Sequence, residues 1–379
     1  MSFSFVNARI NQQIEKDLYR KRTIVNEQSS RFVIVDGKKY LNFSSNDYLG
    51  LNHNAQINKA LVDGAEKFGT CSSASSLITG YGYAHQKLEE SICEWLNIEK
   101  CLLFNSGFSA NFGFMQALQG TDTHLFLDKL SHASLIDGVL ASKLPFKRFR
   151  HNDYAHLDSL LNTNNAEDSI IATEGVFSMD GDKADIVQLK DLSKKHNAQL
   201  FVDDAHALGV VGGQGQGTNA FKNVDITMAT FGKALSTSGA FIACESELHE
   251  YLINTCRHYI YSTSMSPAVA WATIKAIELC QKESWRREKI NYLSREFSTK
   301  LNKKYKLVST QSAIHAIIIG DERSTLDTAK FLQNRGFWVT AIRPPTVPNN
   351  SSRLRVTITA GHNEQDINDL ANTLNEVDF

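Results

Sequence analysis

Lys233 sits in Thr230-Phe231-Gly232-Lys233-Ala234, directly after an apolar run that reads as a strand. A lysine in a Gly-containing turn at a strand end presents its amine to the cleft where open α/β sheets bind ligands. Partial desolvation lowers the pKa of such an amine and fits it for Schiff-base chemistry. Read alone, the pentapeptide favours a plainer answer, a surface lysine in a turn.

Phe201-Val202-Asp203-Asp204-Ala205-His206 adds to the picture. Its apolar strand delivers Asp203 and His206 at the carboxyl end. A buried aspartate opposite a pyridine nitrogen keeps that ring protonated, and a protonated ring is an electron sink. His206, three residues on, is placed to bond the ring's phenolic oxygen. A metal pair, or an aspartate capping the next helix, fits the same residues.

Asn105-Ser106-Gly107-Phe108-Ser109-Ala110-Asn111 lies between a strand and a helix. Small residues there let backbone N–H groups approach a phosphate at a helix N-terminus. Alone, it also reads as an ordinary strand–helix turn. Between this turn and Asp203 lie Ser131-His132-Ala133-Ser134 and Glu174 to Gly181, which includes Ser178. His132 suits stacking on an aromatic cofactor, and Ser178 offers a hydroxyl. Phosphate turn, histidine, serine, Asp-x-x-His and lysine follow one another on successive strand ends. That order points to pyridoxal phosphate carried on Lys233. Gly212-Gly213-Gln214-Gly215-Gln216-Gly217 imitates a dinucleotide loop, but a start at Gly213 puts Thr218 where the third glycine belongs. It reads as a flexible turn.

The elements that must position these residues follow from the apolar pattern. From about residue 84, strands alternate with helices, which argues for a parallel sheet covered on both faces. The strands are read at Cys101 to Phe104, Ser169 to Thr173, Leu200 to Val202, Ile226 to Thr230 and Ala240 to Cys244. A helix is read over Gln188 to His196. Upstream, Val6, Ile10, Ile14 and Leu18 recur at helical spacing. Phe32 to Phe43 reads as a hairpin about Asp36-Gly37. After about residue 265, one long helical stretch runs to Trp285. Strands at Ala316 to Ile319 and Leu354 to Ile358 follow, mixed with helices. The division expected is an arm and hairpin over 1–45, a large α/β domain over 46–265 and an α+β domain over 266–379.

Composition sets the outer limits. The net charge of −1 gives no support to nucleic acid or an anionic membrane as a partner. No apolar run approaches the ~20 residues of a membrane span, and the N-terminus lacks a signal-peptide core. Six cysteines are scattered without a C-x-x-C pair, so no zinc site or disulfide framework is expected and a cytoplasmic setting fits.

With these residues in place, the chain resembles the α-oxoamine synthases, pyridoxal-phosphate enzymes of fold type I. The resemblance runs from Asn42-Phe43-Ser44-Ser45-Asn46-Asp47-Tyr48-Leu49-Gly50 to Ala360-Gly361-His362. It is closest to the member serving biotin synthesis, on His151-Asn152-Asp153, Glu174 to Asp182, Tyr261 to Met265 and above all Thr340 to Pro348. The resemblance implies a large domain with a mainly parallel seven-stranded sheet and a smaller α+β domain. It also implies an acyltransferase that condenses L-alanine with a pimeloyl thioester of acyl-carrier protein or coenzyme A, releasing CO2.

The resemblance also implies a role for each matching residue, as follows. Lys233 binds the cofactor as a Schiff base, Asp203 pairs with the pyridinium, His206 contacts the ring oxygen and His132 stacks on the ring. Gly107, Phe108 and Thr230 surround the phosphate, Ser178 also contacts the cofactor, and Thr263 reaches the phosphate from the partner in a homodimer. Arg355 holds the amino-acid carboxylate, with Arg353 the competing choice. Arg20, His132 and Thr346 match substrate-contacting positions. The chain departs from the pattern at Gly69 to Leu77, where Cys, Ser and Ala replace several glycines and Leu77 replaces His or Arg. Those changes bear on the acyl entrance and leave the cofactor set intact. A glycine-using sister enzyme, such as a glycine C-acetyltransferase, is the nearest rival; a non-catalytic dimeric paralogue is another.

Overall fold

A computed structural model describes residues 3–221, 224–302, 304–308 and 312–377; the first two residues, on which the reading of the N-terminus partly rests, lie outside them. The chain forms two compact units. The larger holds 49–178 and 183–288, and the smaller holds 1–48, 179–182 and 289–379.

The larger unit is built on seven strands: β1 (Lys100–Phe104), β2 (Thr123–Asp128), β3 (Phe146–Phe149), β4 (Asp168–Glu174), β5 (Gln199–Asp203), β6 (Ile226–Thr230) and β7 (Ala240–Cys244). Their spatial order is β1-β7-β6-β5-β4-β2-β3. All neighbours from β6 to β3 pair parallel, and only β7 runs antiparallel, against both β6 and β1. The continuous apolar runs have a simple cause. Side chains alternate between the faces of a strand, and both faces are covered. Leu125, Leu127, Ile170, Ala172 and Phe201 enter the core under helix α1 (Gly107–Ala117) and helix α2 (Ala133–Ser142). Phe126, Ile171, Leu200 and Val202 enter the core on the other side. Each such large side chain stabilises the sheet by roughly 1.5–3 kcal/mol.

The smaller unit has its own core, in which Phe43, Phe297, Ile317, Leu354 and Leu370 pack. Strand Ile314–Gly320 pairs antiparallel with Ser352–Thr357, and that strand with Thr340–Ile342. The hairpin read at Asp36-Gly37 is present, with strands Phe32–Val35 and Lys38–Asn42 and both turn residues at positive φ. The helical arm is present as Phe5–Glu15, and none of its residues is buried.

The long helical stretch read after residue 265 is present as Pro267–Lys282, and a second helix, Trp285–Lys300, begins where that reading ends. The Gly212–Gly217 segment is a turn, and its carbonyls are held from two sides. Trp95 Nε1 donates to Gln214 O at 3.0 Å and Arg287 Nη2 to Gly213 O at 2.6 Å.

Candidate active site

Parallel strands pointing one way bring their last residues to one edge. There β2 ends at Asp128, β4 at Glu174, β5 at Asp203 and β6 at Thr230. Glu174 is the register partner of Asp203, and Asp203 that of Met228.

The turn after β6 fixes Lys233. Phe231 N donates to Gly239 O and Thr237 N to Phe231 O, each at 3.0 Å, while Ala234 and Leu235 next to the lysine are buried. Ser236 completes the turn at φ +54°. The segment after β5 is fixed by Asp204, whose carboxylate accepts from Thr218 N at 2.6 Å and Thr218 Oγ1 at 2.8 Å. Burial pushes the Asp204 carboxyl up to about 7. The two anchored turns place Lys233 Nζ 2.9 Å from His206 Nε2. This contact joins a lysine amine and a histidine ring that lie 27 residues apart in sequence.

Asp203 is buried, at 4% exposure. Its Oδ1 accepts from Ala205 N at 2.9 Å and its Oδ2 from Asn111 Nδ2 at 2.8 Å. A carboxylate held by two donors keeps lone pairs for a third, the N–H of a pyridinium. Beside it, Glu174 Oε2 accepts from Ser178 N at 3.1 Å, and Glu174 Oε1 is buried without a hydrogen bond. Burial first, then the Asp203 charge, raises the Glu174 carboxyl well above its ordinary range, against the pull of Lys233.

In the Asn105–Asn111 segment, Asn105 and Ser106 join strand β1 to helix α1. Ser106 caps α1, its Oγ accepting from Ser109 N at 3.1 Å, so Gly107 and Phe108 open the helix with N–H groups at its positive end. A Cβ at Gly107 would fall 2.6 Å from Thr230 Cγ2. Thr230 Oγ1 is buried and has no hydrogen-bond partner. A hydroxyl without a partner beside a glycine-lined helix N-terminus fits a phosphate oxygen. His132 caps α2, its Nδ1 accepting from Ser134 N at 3.2 Å. Thr263 O accepts from Asn105 Nδ2 of the same chain at 2.7 Å. The departing 70–77 stretch is well tied down, with Ser72 Oγ donating to Met265 O at 2.6 Å and Ser76 Oγ 2.7 Å from Ser264 Oγ.

The smaller unit holds the remaining candidates. Arg353 is ion-paired with Asp180 at 2.5 Å. Arg355 Nη1 donates to Asn46 Oδ1 at 3.2 Å and Thr357 Oγ1 at 3.1 Å, and Nη2 lies 3.5 Å from Tyr48 Oη. Arg20 Nη2 lies 3.4 Å from Thr346 Oγ1, which brings together two positions 326 apart in sequence. Sequence reading gave Asn111, Ser134 and Glu174 no role. The available signal was polarity inside otherwise apolar surroundings, since all three are buried.

Known proteins share this chain's sequence family and fold. The family model for class I and II aminotransferases matches residues 38–374. An 8-amino-7-oxononanoate synthase from Photobacterium profundum is 43% identical over 385 residues, covering 98% of both chains. Serine palmitoyltransferase from S. paucimobilis, solved with a bound PLP–myriocin aldimine, superposes with a TM-score of 0.92 at 26% identity, covering 98% of this chain and 96% of that one. The 8-amino-7-oxononanoate synthase of Francisella tularensis superposes at a TM-score of 0.77 and 26% identity, over 89% and 97%. The fold-type-I architecture expected from the resemblance is present, and pyridoxal phosphate is the cofactor. The chain belongs to the 8-amino-7-oxononanoate synthase family, the pyridoxal-phosphate acyltransferases of biotin biosynthesis within the class I and II aminotransferases.

Proposed function

We propose that this enzyme joins L-alanine to a pimeloyl thioester with loss of CO2 and thiol, using Lys233 both as cofactor anchor and as base. The observation that carries this reading is the 2.9 Å approach of Lys233 Nζ to His206 Nε2, beside the buried Asp203. Pyridoxal phosphate, when bound, supplies the electron sink for bonds broken at the amino acid's Cα.

The chain's residues do the rest. Lys233 Nζ takes the Cα proton and later returns one. His206 holds Nζ in place and meets the ring oxygen. An Asp203 oxygen accepts from the ring N–H, which keeps the sink protonated. Thr230 Oγ1 and the N–H groups of Gly107 and Phe108 hold the phosphate, Ser178 adds a contact, and His132 covers the ring face. Thr263 of a second copy completes the phosphate site in a homodimer. Arg355 takes the amino-acid carboxylate, as the family resemblance implies, with Arg353 the competing choice. Arg20 and Thr346, already close, serve the acyl substrate. The six unpaired thiols fit a reducing cytoplasm. Among the described residues, no helix is long and apolar enough to cross a membrane.

Product analysis with alanine or glycine, against pimeloyl, acetyl and succinyl thioesters, tests the reading. CO2 release and the aminoketone product from alanine plus pimeloyl are expected, with coenzyme A and carrier-protein donors compared. Turnover confined to glycine would overturn it in favour of a sister activity. A colourless protein inactive with every pair would favour the non-catalytic paralogue.

A further inference from the structure

Asn111 lies on α1 one turn beyond the phosphate turn and is 1% exposed. Its side-chain nitrogen meets two acceptors, Asp203 Oδ2 at 2.8 Å and Ser134 Oγ at 2.9 Å. An ionised carboxylate only accepts, so the face of the amide toward Asp203 must be its NH2, with one hydrogen for each neighbour. Ser134 Oγ, having accepted, has its own hydrogen left to give. The atom in reach is His132 Nδ1, at 2.8 Å. The Ser134 backbone N–H points at the same nitrogen, at 3.2 Å. Nδ1 therefore acts as an acceptor, and the neutral ring carries its hydrogen on Nε2.

This chain of donors depends on two helices lying close. A Cβ at Gly138 on α2 would fall 2.9 Å from Phe112 Cα on α1. The missing side chain lets α2 approach until Ser134, one turn earlier, reaches Asn111. The four residues come from three separate elements, and all but His132 are nearly or wholly buried.

We propose that Asn111 and Ser134 are positioning residues that tie the Asp203 carboxylate to the His132 ring and fix that ring as its Nε2–H tautomer. The proposal rests on the assignment of Asp203 and His132 to the cofactor. The two groups assigned to the ring's nitrogen and to its face then share one hydrogen-bond chain. Charge at Asp203 orders Asn111, Asn111 orders Ser134, and Ser134 sets which nitrogen of His132 can donate. Asn111 Oδ1 is left buried without a partner, a cost the pairing with Asp203 must exceed.

The test compares Asn111→Ala, Ser134→Ala, the double variant and Asp203→Asn. Readouts are the dissociation constant for pyridoxal phosphate, the pH dependence of its visible absorption in the holoenzyme, and the thermal midpoint. Losing a hydrogen bond to a charged group should weaken cofactor binding in Asn111→Ala by about 10- to 100-fold. Ser134→Ala is a small truncation that should fold, yet it should shift the pH profile of the absorption. The double variant should lose less affinity than the product of the two single losses, because both changes break one chain. Multiplicative losses with unshifted pH profiles would overturn the proposal and leave two independent packing contacts. Asp203→Asn with unchanged affinity and absorption would overturn the cofactor assignment itself. Loss in Asp203→Asn with wild-type behaviour in Asn111→Ala would overturn the coupling alone.

Discussion

Glu174 and Asp203 are register partners on neighbouring parallel strands, and both carboxyls are buried. Two like charges in that position oppose each other, and Glu174 yields. Its pKa is raised by burial first and by Asp203 second. A group whose native pKa is raised above its unfolded value contributes stability below the unfolded pKa and loses it as pH rises. Each pH unit over which the unfolded chain ionises Glu174 and the native protein does not costs about 1.4 kcal/mol. Glu174→Gln places an amide where the neutral acid stood, and Gln can still accept from Ser178 N. Urea unfolding of the ligand-free protein at pH 6 and pH 9 should show a smaller loss of stability in the variant. Equal losses in both proteins would mean that Glu174 is ionised in the native state.

Lys233 gives a sharper outcome. Lys233→Ala removes the amine and should lower turnover by at least about a thousandfold, the scale of a lost acid–base group. The visible absorption of the Schiff base should vanish with it. His206→Ala keeps the amine and removes its 2.9 Å neighbour. Turnover should fall about 10- to 100-fold with the absorption band retained at an altered position. Normal absorption and rate in Lys233→Ala would remove the lysine from the chemistry.

Much of this site can be read from sequence because the strands are buried on both faces. Ile226 to Thr230 and Leu200 to Asp203 read as mainly apolar runs that end in polar residues, so Thr230, Asp203 and Lys233 announce where the sheet edge is. Direction is another matter. The run Ala240 to Cys244 is as apolar as its neighbours, yet it is the one antiparallel strand of the sheet. Side-chain pattern records burial, not polarity of the chain. Asn111 and Ser134 stayed unread for a different reason. Their meaning is a contact with residues 92 and 23 positions away, and no local spacing encodes it. Arg353 and Arg355 share a strand and a residue type, so spacing alone does not separate their roles.

Gly107 is the tightest point of the phosphate turn. A Cβ there would stand 2.6 Å from Thr230 Cγ2, closer than such contacts allow. Gly107→Ala should fold, since alanine suits a helix start, but should displace Thr230 and weaken pyridoxal phosphate binding by about 10- to 100-fold. Thr230→Ser removes the offending methyl and keeps the hydroxyl. The combination of both changes should recover most of the affinity, measured by absorbance titration of the ligand-free protein. Failure to recover would show that the alanine acts on the helix N-terminus rather than on Thr230.

The smaller unit carries an acid sensitivity of its own. His362 stacks on Phe43 with ring centroids 4.3 Å apart and planes at 4°. Its Nδ1 accepts from Thr359 N at 3.0 Å, and its Nε2 donates to Asn42 O at 3.1 Å. His315 packs edge-on against Phe297. Burial lowers both histidines to about 4. The unfolded chain takes up these protons near pH 6.5, and the native state resists until about 4. Their stabilising effect is therefore complete above pH 6.5 and is lost as pH falls toward 4, by at most roughly 3 kcal/mol for each ring. His315→Gln is neutral at every pH. It should lower stability by a roughly constant amount and flatten the fall between pH 6.5 and 4, while wild type unfolds steeply with proton uptake. Urea midpoints across that window, with and without the substitution, check it. Parallel curves would mean that His315 charges freely in the folded protein, and its packing against Phe297 would then have to open on acidification.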